Sequence, residues 1–72
     1  MSIYDLSRSE IESLINEWIL SERDRRIMRR RLLDGVTIEA LAEEVSMSPR
    51  QVHRIVKNLT VKLQEKCNKI AG

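Results

Sequence analysis

The chain has 72 residues, with 13 Lys and Arg against 11 Asp and Glu, for a net charge of +2. Such a length allows one domain, residues 1–72, with a small core; one Cys excludes an internal disulfide and, with one His, falls short of the ligands a structural zinc needs. No apolar run nears the roughly 18 residues of a membrane helix, and Met1–Leu6 has neither the basic flank nor the apolar block of a secretory signal, so a cytoplasmic setting with no membrane partner is expected.

Two Gly and one Pro among many Leu, Ile, Glu and Arg predict an all-α fold. Helix starts are marked at regular intervals. Ser7 is a cap with Glu10 three residues on, and Leu6 and Ile11 occupy the staple positions. Ile11, Leu14, Ile15, Trp18 and Ile19 then recur at helical spacing, and Trp18 reads as core. Ser21 caps a second helix whose apolar arc is Ile27, Met28 and Leu32, and Gly35 ends it. Thr37 opens a third helix, with Leu41, Ala42 and Val45 inward and Ile38 at their edge. Ser46 and Met47 form a turn. Ser48 opens a fourth helix, where Pro49 at the first helical position, a Ser48–Gln51 capping box and a Met47–Val52 staple coincide. Val52, Ile55, Leu59, Leu63 and Cys67 keep one stripe with no breaker, so this helix is expected to reach about Lys69.

Charge is segregated along the chain. Residues 1–22 carry −4, residues 23–34 carry +4, residues 35–48 carry −3 and residues 49–72 carry +5. Different faces for different partners are the expectation.

Helices three and four are joined by about three residues, which predicts a helix-turn-helix over about residues 37–58. Leu41, Ala42, Val45, Met47, Val52 and Ile55 fill the positions such a unit must make apolar, with Ala42 small at the crossing. The stretch Leu20–Leu63 resembles region 4 of sigma-70 type factors and their stand-alone sigma-like relatives. The residues that carry the resemblance are Ser21 to Arg31, Asp34-Gly35, Thr37, Glu39 to Glu44, and Ser48 to Ile55. The resemblance implies that Ser48–Asn58 is a recognition helix entering the DNA major groove. It also implies RNA polymerase as a further partner. Two positions depart from the family pattern. Ser46 stands where Gly is usual, so either the turn accepts a left-handed Ser or it is built differently. Arg50 stands where an acidic residue tends to read the promoter −35 element, so recognition of the usual −35 sequence is not implied. The length leaves no room for the regions that melt promoters.

The residues of the fourth helix point the same way. With Val52, Ile55 and Leu59 inward, Arg50, Gln51, His53, Arg54, Lys57 and Asn58 face out, and no carboxylate stands among them. Arg reads guanine and Gln or Asn reads adenine through paired hydrogen bonds. Arg50, Gln51, His53 and Arg54 are therefore the expected base contacts. Thr37, Ser48, Lys57 and Asn58 are the expected backbone contacts, with Arg29 and Arg30 as further candidates. A solvated basic face is the bland alternative. In the second helix Arg25–Arg29 and Arg26–Arg30 are like-charge pairs four residues apart, which either await a polyanion or form a solvated face. Arg31 falls within the apolar arc, so an ion pair with Glu43 or Glu44 is expected there.

No nucleophile–base set, phosphate loop or paired carboxylate motif occurs, so neither an enzyme nor a cofactor is expected. The expectation is a four-helix domain with a long C-terminal recognition helix, acting on double-stranded DNA as a small bacterial or phage-type transcriptional regulator. The alternatives are a protein-interaction module for RNA polymerase or another regulator, and a phage packaging or replication protein on DNA. Leu59, Leu63, Cys67 and Ile70 exceed what the helix-turn-helix needs, so they either cover the first helix or form a homodimer seam.

Overall fold

The computed structural model describes residues 2–71, with side chains through Lys69. Those residues form a short 3-10 turn, Ile3–Asp5, followed by four α-helices: α1 Arg8–Trp18, α2 Glu22–Leu32, α3 Ile38–Val45 and α4 Pro49–Ala71. The fold is all-α.

Each helix starts where a short polar side chain can satisfy an otherwise orphaned backbone N–H. The Glu10 N–H donates to Ser7 Oγ at 3.2 Å while the Ser7 N–H donates to Glu10 Oε1 at 3.0 Å, closing a capping box. Asp24 N–H donates to Ser21 Oγ at 3.3 Å, and Ala40 N–H to Thr37 Oγ1 at 3.2 Å. Such caps contribute about 1 kcal/mol each. The 3-10 turn is one element the helical periodicity does not announce. Its local signal is a Ser-led box, Ser2 with Asp5, of the same kind as that of Ser7.

The core lies in two clusters along α4. One joins Ile3, Ile11, Leu14, Ile15, Ile19, Met28, Leu63 and Cys67. The other joins Ile27, Leu41, Ala42 and Val52, with Met47 and Ile55 packed against it. The neighbours Ile27 and Met28 point about 100° apart around α2, so that helix feeds both. Helix α4 has 23 residues and spans both clusters, its first half on α3 and its tail on α1 and the 3-10 turn. The Ile3 N–H donates to Gln64 Oε1 at 2.8 Å and ties that turn to the tail. Leu63 and Cys67 are buried within the chain, at 0% and 2% exposure, and cover α1. They are not a seam for a second copy. Leu59 is half-buried on the same cluster, and the side chain of Ile70 lies outside the described residues. Trp18 packs on this cluster too, with Lys66 Nζ 4.4 Å from its ring centroid.

Two joints use left-handed backbone. Gly35 has φ 67°, and Val36 N–H returns to the Arg30 carbonyl at 3.1 Å. Ser46 has φ 56° and ψ 44°. Here Met47 N–H donates to the Ala42 carbonyl at 3.0 Å and Met47 packs back over Ala42, a Schellman closure that turns the chain into α4 after three residues. The turn therefore accepts a left-handed Ser, at a cost of about 1 kcal/mol relative to Gly.

The ion pair expected of Arg31 belongs instead to Arg30. Arg30 Nη2 donates to Glu44 Oε1 at 2.7 Å and Arg30 Nη1 to Asp34 Oδ2 at 3.1 Å. Arg31 Nη1 donates to the Val36 carbonyl at 3.0 Å. The reason is rotation: one residue along a helix turns the side chain by about 100°, so Arg30 meets α3 while Arg31 meets the returning chain.

Candidate nucleic-acid interface

The first turns of α4 are organised by Ser48. Its N–H donates to Gln51 Oε1 at 3.1 Å, its hydroxyl donates to the same oxygen at 3.2 Å, and the Gln51 N–H donates back to Ser48 Oγ at 3.2 Å. The box holds the Gln51 side-chain oxygen, so Gln51 is left with its amide N–H groups and cannot read adenine through both atoms while the cap is closed. The Ser48 hydroxyl and N–H are engaged in the same box. Thr37 differs: its Oγ1 accepts from Ala40, and the hydroxyl proton remains to donate.

Val52 is fully buried and Ile55 half-buried beneath this segment. That fixes the rotation of α4 and brings Arg50, Gln51, His53, Arg54, Lys57 and Asn58 to the outside, all exposed. Among the described residues, Arg50, His53, Arg54, Lys57 and Asn58 make no hydrogen bond or ion pair within the chain. The sequence-expected donors of α4 thus share one exposed side of about two and a half helical turns, and no carboxylate lies between them in sequence.

The arginines of α2 are arranged otherwise. Arg25 Nη2 donates to the Asn16 carbonyl at 2.8 Å and Arg25 Nε to the Ile19 carbonyl, so Arg25 closes the C-terminus of α1, and its Nη1 meets Glu22 at 3.1 Å. Arg29 donates to Asn16 Oδ1 and stands 3.9 Å from Glu12. Arg23 meets Asp24 at 3.3 Å. Arg29 and Arg30, the further backbone candidates, are committed to α1 and to α3. Arg26 is exposed and makes no hydrogen bond or ion pair among the described residues.

The Arg30 network has an electrostatic signature. Hydrogen bonds from Arg8, at 3.2 Å, and from Arg30 hold the Asp34 carboxyl below its ordinary pKa. The Arg30 hydrogen bond likewise lowers Glu44, and the two acids raise Arg30. Glu10 is lowered by the Ser7 N–H of its capping box.

One feature beside the interface is invisible in the sequence pattern. The 3-10 turn brings Tyr4 to the flank of α4, where an open groove of about 550 Å³ includes Tyr4, His53, Lys57 and Val61 in its lining. Only the Ser2–Asp5 box hints at the turn, and nothing in it tells which helix the turn meets. Among the described residues, no group of three or more His, Cys, Asp and Glu side chains is placed to hold a metal ion, and no helix is long and apolar enough to cross a membrane. Comparison with protein-family models, with curated proteins and with solved structures finds no match.

Proposed function

We propose that this protein binds double-stranded DNA as a small transcriptional regulator of the sigma-70 region 4-like type, with α3 and α4 as its helix-turn-helix and residues 49–58 in the major groove. The observation that carries the reading is the outer side of α4 over residues 50–58. Among the described residues Arg50, His53, Arg54, Lys57 and Asn58 make no hydrogen bond or ion pair, no carboxylate stands among them in sequence, and the helix is held by its own box and by Val52 and Ile55. Arg50, His53 and Arg54 serve as base-edge readers, and Gln51 as a single amide donor. Lys57, Asn58 and the Thr37 hydroxyl take phosphates, while Ser48 acts through the cap that orients the helix.

The arginines of α2 are unneeded for this contact, since five of the six already hold partners in the chain. A duplex selected from a random pool supplies the ligand for the test. Against it Arg50→Ala and Arg54→Ala should each cost about 1–3 kcal/mol, or roughly 5- to 150-fold in affinity. Lys57→Ala should weaken all sequences alike and reduce the salt slope by about one. Unchanged affinity in both arginine variants would refute the assignment.

A further inference from the structure

Three large apolar side chains stand exposed among the described residues: Leu20 at 87%, Tyr4 at 71% and Val61 at 55%. Tyr4 and Val61 line the groove of about 550 Å³ beside α4, together with the half-buried Ile38 and Val56. Arg31, His53 and Lys57 also line it, and among the described residues no carboxylate does. Leu20 has the opposite setting. It projects from the three-residue joint between α1 and α2, flanked in sequence by the exposed Glu17 and Glu22. Glu22 is paired with Arg25, whereas Glu17 makes no hydrogen bond or ion pair among the described residues.

An apolar knob with a free carboxylate and an apolar groove with a basic rim are complementary in both shape class and charge. We infer that Leu20 of one copy docks in this groove of a second copy, with Glu17 meeting its basic side chains, so that the chain associates head to tail. Knob and groove are different surfaces of the protomer, which makes the contact heterologous and open-ended. A two-fold pairing of groove with groove would set bases against bases. The tail of α4 offers no rival seam among its described side chains, because Leu63 and Cys67 are buried on α1.

His53 and Lys57 belong both to the groove and to the proposed DNA face, so duplex and second copy compete for them. That competition rests on the DNA-binding reading, whereas self-association does not, and sedimentation without DNA separates the two.

Sedimentation of the full chain at up to about 1 mM in low salt should show association beyond the dimer, weakened at least about tenfold in high salt, which screens the charges. Leu20→Ser and Val61→Glu should each be monomeric with unchanged helical circular dichroism, because both positions are exposed. Mixed in equal amounts, the two variants should form dimers and nothing larger: the first keeps an intact groove, the second an intact knob. This rescue also shows that both variants are folded. A wild-type chain that stays monomeric throughout would overturn the inference and leave the groove to an acidic segment of another protein. Variants that still associate alone, or a mixture that stays monomeric beside an associating wild type, would overturn it as well.

Discussion

Helices α2 and α4 are both rich in bases, yet they use them in opposite ways. In α2 five of the six guanidinium groups turn back onto the chain, among them those that close the end of α1, bridge to Glu44 on α3 and hold the Val36 carbonyl. In the first half of α4 the bases make no hydrogen bond or ion pair among the described residues. The difference lies in the neighbours. Helix α2 touches α1, α3 and α4, which puts carbonyls of α1 and of the returning chain and a carboxylate of α3 within reach of its arginines. The first turns of α4 rest chiefly on α3 and the Ile27 cluster, and the opposite side is open. A run of arginines therefore says little about a polyanion partner until the surrounding acceptors are known.

That contrast can be broken most sharply by exchanging the two kinds of base. The Arg50→Ala, Arg54→Ala double variant should lose on the order of a hundredfold or more in duplex affinity, with its thermal midpoint unchanged; calorimetry beside a binding titration checks both. Arg25→Met should do the reverse. It keeps the apolar stem but strips charged donors from the Asn16 and Ile19 carbonyls, so stability should fall by about 1–3 kcal/mol, with duplex affinity preserved once the chain is folded. An Arg25→Met chain of unchanged stability would show that the α2 arginines do not hold α1.

A smaller effect is expected at the joint between α3 and α4. Ser46→Gly relieves a left-handed φ and should stabilise the domain by up to about 1 kcal/mol, since Gly adopts that backbone without a Cβ clash. Denaturant midpoints measure it, and a loss of stability would mean that the Ser side chain contributes something the backbone account omits. The smallest effect belongs to the exposed Arg30 network. Asp34 and Glu44 have folded-state pKa values below their ordinary ones, so their contribution is complete above the ordinary carboxylate range. It fades as pH falls through the lower folded-state values. Arg30→Met should therefore give a shallower loss of stability on acidification than the wild type, read from midpoints taken across that range. An identical acid limb would exclude the network as a source of it.

The placement of the helices was legible from the residues because caps act locally. Ser7, Ser21, Thr37 and Ser48 each reach an N–H three residues on, a contact that needs no tertiary partner. The α4 stripe was equally legible, since Val52, Leu63 and Cys67 are buried as helical spacing requires. Rotation within one helix likewise sufficed to bring the donors of α4 to the outside. Which acid an arginine meets was not legible. Arg30 and Arg31 are adjacent in sequence, and only the mutual rotation of α2 and α3 decides that Glu44 faces the first. The side-chain oxygen of Gln51 shows the same limit on a smaller scale, because the residue types that close a cap are also those that read a base.

The amino-acid sequence by itself determined where helices begin and end, which stripe of each is apolar, and that residues 50–58 of α4 put donors and no carboxylate on the outside, because these depend on periodicity and on contacts within four residues. Only the tertiary structure decided that most of the α2 arginines serve as internal ties, that the α4 tail closes over α1, and that Tyr4 and Val61 line one groove. Those outcomes depend on how whole helices pack against one another, and packing is set by the summed fit of many side chains that no local spacing encodes.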